Sequence, residues 1–271
     1  MDIGRGATVS TVFFLFLLHL SLGLVMALAL VPDQAGARFF KLCSAIAVFL
    51  TSTALGFLYR RFGLLGGGKA PGREAYTPMI AAALGFALLT VLYNRSWHFD
   101  WVRPRRGLLL AAILAGLVAT MVGSPGPLFT LADLTSALLL GAAAAAMILG
   151  HYYLVVLDLP ISALRRLTVL LIVALVLRTA AVGLVLVGPV HAGYAEARLI
   201  AAGLWSPDGI FVWMRLLFGI AGPLSLVWFI WKTVEIRSTQ SATGILYVQL
   251  FLVLAGELLA AYLRVAAGFP L

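Results

Sequence analysis

Long apolar runs, separated by short polar segments, follow one another along the whole chain. An α-helix needs about 20 apolar residues to cross the hydrocarbon core of a bilayer. Eight runs of suitable length predict eight transmembrane helices, at about 10–31, 40–59, 76–92, 107–122, 128–157, 164–187, 209–232 and 242–265. The fifth run is too long for an upright span, which indicates a tilted helix or one that extends past the headgroups. We therefore expect an all-α, polytopic integral-membrane bundle.

The composition also indicates that the chain lies in a lipid bilayer. Hydrophobic residues make up 63% of the chain and charged residues 11%, with a mean hydropathy of +1.08, far from the values of soluble domains. The connections are too short for a folded extramembrane domain, so residues 1–271 are interpreted as a single transmembrane domain of the cell's inner, cytoplasmic membrane. The first run exceeds the apolar region of a signal peptide and is expected to stay as helix one. A single cysteine, Cys43, excludes a disulfide framework within this chain.

Positive charges are unequally divided between the two sides of the predicted bundle. Ten lysines and arginines fall on the side opposite the N-terminus and seven on the N-terminal side. Because positively charged loops resist translocation, this predicts both termini outside the cytoplasm. The net charge of +9 suits anionic lipids as partners, whereas loops this short argue against nucleic acid. The segment 94-NRSWHFDWVRPRR-106 is interpreted as an interfacial anchor, in preference to a docking site for a cytoplasmic partner.

Ionisable residues inside the predicted spans are the candidate functional residues. The chain has no phosphate-binding loop, zinc motif, CxxCH haem attachment or GxSxG elbow. Ionisable side chains are costly in hydrocarbon, so they usually face a partner, a cavity or a cofactor. The candidates are His19, His151, Arg178, Arg215 and Glu257, with Asp158 at a helix end.

Arg215 and Glu257 are predicted to form a buried ion pair. Both lie roughly 10 Å inside the outer boundary on sequential helices, so each is available to neutralise the other. The pair either locks helices seven and eight together or binds a polar headgroup. Arg178 lies near mid-membrane and needs a carboxylate, backbone carbonyls, water or an anionic group such as a haem propionate. The sequence does not choose between these partners.

The stretch 147-MILGHYYLVVLDLP-160 places polar residues near the cytoplasmic boundary. His151 and Asp158 are two helical turns apart and share one face. A histidine there can bond a quinone carbonyl, ligate haem iron, relay a proton or satisfy a backbone carbonyl. We predict a quinone headgroup or haem pocket with His151 as the direct contact and Asp158 as the exit of a proton path. Tyr152 and Tyr153 are predicted to belong to the aromatic belt.

Two histidines in the spans also suggest a bis-histidine haem b, with His19 and His151 as iron ligands. That arrangement requires both side chains at similar depth on facing helices. From the inner boundary His19 lies about 19 Å deep and His151 about 10 Å deep. Helix tilt reduces such a mismatch, so haem b is kept as an alternative to quinone alone.

A weak internal similarity accompanies the two histidines. The segments 19-HLSLGLVMALALVPDQAGARFF-40 and 151-HYYLVVLDLPISALRRL-167 share a loose order of His, Asp and Arg. This order fits a duplication of four helices plus four.

The segments 13-FFLFLLHLSLGLVMALAL-30 and 253-VLAGELLAAYL-263 resemble the first and last helices of a known family. They are similar to the eight-helix membrane-anchor subunits of dimethyl sulfoxide reductase-type molybdoenzymes. Gly23, Gly256 and Glu257 match that family's glycine and GEL positions, whereas His19 stands where the family tends to have glutamine and Ala261 replaces its arginine. The resemblance implies an anchor that carries electrons between the quinone pool and an iron–sulfur partner, with both termini outside.

These observations together predict the membrane subunit of a redox complex. It would contact quinone or quinol, with haem b as a further cofactor, while the catalytic metal centres reside in partner subunits. The main rival is a small secondary transporter in which Arg178, Arg215 and Glu257 line a substrate path, and broken helices would favour it. A second rival is a structural or assembly subunit whose polar residues only pair with each other.

Overall fold

The protein is a bundle of long helices, seen here in a computed structural model that describes residues 2–62, 73–99, 102–156, 159–191, 209–268 and 270–271. All regular structure within these ranges is helical. Eight segments are long and apolar enough to cross a membrane, which confirms the predicted polytopic helical bundle. The helices are α1 (Asp2–Leu28), α2 (Ala37–Phe62), α3 (Arg73–His98), α4 (Val102–Val122), α5 (Pro127–Val155), α6 (Ser162–His191), α7 (Gly209–Leu216), α8 (Gly222–Glu235) and α9 (Thr239–Ala267).

Several helices extend beyond the predicted apolar runs. The polar segment 94–106, which lies between the predicted third and fourth spans, is mostly the end of α3 and the start of α4. Within a helix the backbone hydrogen bonds are satisfied whatever the side chains are, so a helix can continue into the headgroup layer. Charged residues therefore mark depth in the membrane better than they mark helix ends.

The seventh span, Gly209–Glu235, consists of α7, a π-helical segment at Leu217–Ala221 and α8. Pro223 lies at the start of α8, where its missing N–H and its ring disturb the hydrogen bonds of the preceding turn. The backbone N–H of Gly222 bonds the carbonyl of Leu217, five residues earlier. The span thus changes its helical register without being interrupted.

The packing order of the first four helices is repeated in the last four spans. In the first half, α1 packs against α2 and α4, and α3 lies between those two. In the second half, α5 packs against α6 and α9, and α8 lies between those two. The halves meet mainly through α1 and α5, the most buried of the membrane spans. This is the arrangement expected of the predicted four-plus-four duplication, with both halves crossing the membrane in the same direction.

Small residues bring α1 and α5 into direct backbone contact. A Cβ atom on Gly23 would overlap the carbonyl oxygen of Ala137, and one on Gly141 would overlap the backbone of Gly23. Apolar side chains gain little from leaving lipid, so membrane helices associate where small residues let backbones approach. The contact fixes the relative depth of residues on the two central helices.

The predicted orientation can be tested with single cysteines, because the native Cys43 is fully buried. Pro125→Cys lies between α4 and α5 on the side where α1 begins, called here the terminal side, and Ile236→Cys lies between α8 and α9 on the opposite side. With the termini outside the cytoplasm, a membrane-impermeant maleimide should label Pro125→Cys in intact cells. Ile236→Cys should react only after permeabilisation. The reverse pattern would invert the orientation.

Candidate functional site

Five helices bring ionisable side chains together in the terminal-side half of the bundle. Each residue lies within about ten residues of the terminal-side end of its membrane span, a depth of up to about 15 Å. We call this group the polar cluster. Its members are His19, Asp133, Arg178, Arg215, Glu257 and Arg264.

Glu257 on α9 is the centre of the first part of the polar cluster. Arg178 on α6 donates from Nε to Oε1 at 3.0 Å and from Nη2 to Oε2 at 2.9 Å. Arg215 on α7 donates from Nη2 to Oε1 at 2.7 Å. The predicted ion pair of Arg215 and Glu257 is confirmed, and Glu257 is also the partner of Arg178 that the sequence left open. All three side chains are at most 2% exposed, so their charges interact in a low dielectric.

Arg178 also donates hydrogen bonds to two main-chain oxygens outside its own helix. Its Nη1 donates to the carbonyl of Ala132 at 3.2 Å, and its Nη2 donates to the oxygen of Leu271 at 2.8 Å. Leu271 is buried against this guanidinium. Arg178 therefore connects α6 to α5, to α9 and to the chain beyond α9.

Asp133 on α5 is the centre of the second part. It forms an ion pair with Arg264 of α9, accepts a hydrogen bond from Ser124 Oγ at 2.5 Å, and lies 3.7 Å from His19 Nε2 of α1. Asp133 was not among the predicted residues, although an aspartate inside the fifth apolar run was a usable signal. Arg264 is one of the seven positive charges counted on the N-terminal side. Its pairing inside the bundle leaves six charges there against ten, which strengthens the predicted asymmetry.

The polar cluster encloses a cavity of about 20 Å³, bordered by both carboxylates, Arg178, Arg264 and His19. This is room for about one water molecule and far too small for a quinone ring. Nε and Nη1 of Arg215 and Nε2 of His19 are buried without a hydrogen-bond partner among the described residues. The polar cluster can hold a water or a small polar group, and it ties four helices of the second half to α1.

His151 lies on the opposite side of the bundle and is exposed at its surface. Its Nδ1 is 3.0 Å from the hydroxyl of Tyr247 on α9, and the two rings meet edge to face with centroids 6.3 Å apart. His151 stands about one turn from the end of α5, and Tyr247 about two turns into α9. His151 and Tyr247 therefore form a hydrogen-bonded pair.

The structure does not bring His19 and His151 together. His19 contacts Asp133, and His151 follows Asp133 by 18 residues on the same helix, a rise of about 27 Å. Two axial histidines must bind opposite faces of one iron. The two histidines of this chain are therefore not placed as axial ligands of one haem, because the α1–α5 contact fixes them at different depths. Among the described residues, no three His, Cys, Asp or Glu side chains form a metal site.

The neighbours of His151 differ in part from prediction. Asp158 lies outside the described residues. Tyr153 is 4% exposed and donates its hydroxyl to the carbonyl of Pro160 at 2.5 Å, so its assignment to the aromatic belt is wrong. The chain turns back between α5 and α6, and Tyr153 satisfies a carbonyl of that turn. Tyr152 is partly buried and packs against Phe39, with ring centroids 6.2 Å apart.

No protein-family model matches the chain, and no curated protein matches its sequence. The resemblance to molybdoenzyme anchor subunits therefore depends on the quoted segments of the first and last spans. Two residues of those segments, His19 and Glu257, lie in the polar cluster.

Proposed function

We propose that the protein is the integral-membrane subunit of a redox complex that exchanges electrons with the quinone pool, and that His151 and Tyr247 bind the quinone headgroup. The observation that supports this most is the His151–Tyr247 hydrogen bond at the exposed surface of the bundle. His151 and Tyr247 lie within two membrane spans, about 6 to 12 Å from the ends of their helices.

The argument begins with the cost of this pair in lipid. Tyr247 is 47% exposed and His151 is exposed too, although both belong to membrane-spanning helices. Polar groups facing hydrocarbon without a partner are unfavourable, and ionisable residues in membrane spans usually have a functional contact. Their mutual bond uses Nδ1 of His151 and leaves Nε2 for an outside partner. A quinone, which diffuses within the bilayer, can reach such a surface directly.

The pair also suits proton-coupled chemistry. With its proton on Nε2, the imidazole donates to a quinone carbonyl while Nδ1 accepts from the Tyr247 hydroxyl. With its proton on Nδ1, donated to Tyr247, Nε2 accepts from a quinol hydroxyl. Oxidation of one quinol releases two electrons and two protons. His151 would take one proton, water at the nearby membrane surface would take the other, and redox centres of partner subunits would take both electrons.

The two rival functions have less support. A transporter needs a substrate path along Arg178, Arg215 and Glu257. The cavity beside Arg178 and Glu257 holds only about one water, and the seventh span continues through its π-helical segment. A purely structural subunit accounts for the polar cluster, whose members pair with each other. It does not account for a hydrogen-bonded pair exposed at the surface.

The test compares His151→Leu and Tyr247→Phe in the complex purified with its native partners. We expect quinol-linked electron transfer to fall by about 100-fold or more in His151→Leu, the lower range for loss of a general acid–base group. Tyr247→Phe should lose less, about tenfold, because the imidazole stays in place without its orienting bond. Insertion and yield should not fall, since leucine suits the bilayer better than histidine does.

Two control variants change the same residue types at other exposed positions. His98→Leu changes an exposed histidine at the end of α3, and Tyr262→Phe changes a half-exposed tyrosine elsewhere on α9. Both should keep full turnover. Full turnover in His151→Leu, with an unchanged reduced-minus-oxidised spectrum, would instead identify the His151–Tyr247 pair as a packing contact and favour a structural subunit.

A further inference from the structure

A large cavity lies on the side of the bundle opposite the terminal side. It is separate from both the polar cluster and the His151–Tyr247 pair. Its volume is about 1260 Å³, somewhat above the usual range for a small-ligand site. The ends of α1 and α3, the starts of α2, α4 and α6, and the connection after α1 surround it. The cavity therefore lies at the membrane surface and is shared by the two four-helix halves.

The rim of this cavity is strongly positive. Two adjacent arginine pairs border it, Arg105 with Arg106 on α4 and Arg165 with Arg166 on α6, against one acidic side chain, Asp33. No carboxylate among the described residues forms an ion pair with any of the four arginines within 4 Å. Such a rim attracts a ligand with negative charge, and guanidinium groups match phosphate oxygens in geometry.

Buried donors with no protein partner border the same space. Trp97 is 6% exposed, and its indole Nε1 makes no hydrogen bond of standard geometry to a described residue, although the Tyr93 hydroxyl lies nearby. Nε of Arg105 is likewise buried and without a partner among the described residues. The guanidinium of Arg105 lies 3.6 Å over the Trp97 ring, which stacks on Phe40 at 4.5 Å. The Tyr93 ring packs edge to face against the same indole. These stacked groups hold their donors in place before a ligand arrives, which lowers the cost of binding.

Polarity changes in an ordered way from the rim to the interior. One turn deeper than the arginines of α4 stand Leu109 and Leu110, and one turn deeper than those of α6 stand Val169 and Leu170. The cavity thus has cationic and hydrogen-bonding groups at the membrane surface and aliphatic walls below them. An anionic phospholipid has the complementary order, with its phosphate in the headgroup layer and its acyl chains in the hydrocarbon.

We propose that this cavity is a binding site for one anionic phospholipid, with the phosphate held by Arg105, Arg165 and the Trp97 indole N–H and the acyl chains along α4 and α6. Free phosphate would bind the arginines of the rim in the same way, but it would leave the aliphatic walls without a partner. A quinone would suit the walls but supply no charge for the arginines. The bound lipid connects the two halves of the bundle at the end remote from the polar cluster, and this site does not depend on the proposed redox function.

The experiment titrates delipidated, detergent-purified protein with phosphatidylglycerol and follows the bound lipid by native mass spectrometry. Arg105→Gln/Arg165→Gln should weaken binding about 25-fold, since each arginine near an anionic surface contributes about fivefold. Trp97→Phe keeps the aromatic stack, loses the N–H donor and should weaken binding several-fold. Arg38→Gln/Arg103→Gln removes two exposed charges of the same side that do not border the cavity. This control should bind phosphatidylglycerol as the unaltered protein does.

Three results would overturn the proposal. Equal losses in the two double variants would indicate general surface charge, and equal binding of phosphatidylcholine would remove the requirement for an anionic lipid. Full competition by excess inorganic phosphate would identify a phosphate site without acyl-chain recognition. Thermal unfolding of each variant in detergent checks that the fold is retained, and a variant that unfolds is replaced by the single changes Arg105→Lys and Arg165→Lys. Lysine keeps the charge but loses the planar fork, so each should weaken binding by a smaller factor than glutamine.

Discussion

Replacing Glu257 with glutamine should lower the folded yield and thermal stability of the protein more than any other single isosteric change in the polar cluster. Glu257 neutralises both Arg178 and Arg215, and all three side chains are buried. Removing the carboxylate leaves two guanidinium groups without a charged partner in a low dielectric. Breaking a buried pair in this way typically costs about 3 to 5 kcal/mol, because the remaining charge is uncompensated.

The variant Glu235→Gln is the matched control for this change. Glu235 pairs with Lys232 at 2.9 Å, but both side chains are about half exposed. Exposed pairs contribute about 0 to 1 kcal/mol, so this variant should melt close to the unaltered protein. The measurement is thermal unfolding of detergent-purified protein, followed by the monodisperse fraction that remains after heating. Similar losses in Glu257→Gln and Glu235→Gln would contradict the central role of Glu257.

The double variant Glu257→Gln/Arg215→Gln separates ion pairing from simple side-chain damage. In the single variant Glu257→Gln, Arg215 is one of the two uncompensated charges, and its removal relieves part of the penalty. The double variant should therefore lose less stability than the sum of the two single changes. Strict additivity would show that the 2.7 Å contact between these residues contributes no coupling.

The second large effect is expected from a single methyl group between the two central helices. In Gly23→Ala, the added Cβ would overlap the carbonyl oxygen of Ala137 and the backbone of Gly141. Backbone atoms cannot rotate away as a side chain can, so α1 and α5 must separate. Overpacking usually costs about 1 to 3 kcal/mol, and here it would also part His19 from Asp133. We expect reduced yield and a lower melting temperature, with Gly141→Ala behaving in the same way.

Gly56→Ala and Gly183→Ala provide controls with the opposite expected sign. Both glycines are helical, in α2 and α6, and an added Cβ meets nothing within 4 Å at either position. Alanine is favoured over glycine in a helix by about 0.5 to 1 kcal/mol, so these variants should be as stable as the unaltered protein or slightly more so. If Gly23→Ala is equally well tolerated, the close contact of α1 with α5 is not required for folding.

The two central glycines illustrate what the sequence could not predict. Their importance depends on which helix faces which, and glycines are frequent in membrane helices for several reasons. Gly23, Gly56 and Gly183 look alike in a hydropathy plot, yet only the first lies against another backbone. Sequence reasoning misses Asp133 for a related reason, since its partner Arg264 is 131 residues away and lies at the end of a predicted span.

The sequence by itself determined the position of most residues along the membrane normal. Apolar runs located the eight spans, and a constant rise per residue then placed Arg215 and Glu257 at matching depths, which led to the correct ion pair. The tertiary structure alone decided positions within the membrane plane. There Arg178 and Arg215 bind the same carboxylate, that of Glu257. His19 lies far from His151, and His151 is hydrogen-bonded to Tyr247. The physical reason is that hydropathy reports the exchange of each residue between water and lipid, whereas neighbours in the plane are chosen by close packing between distant segments.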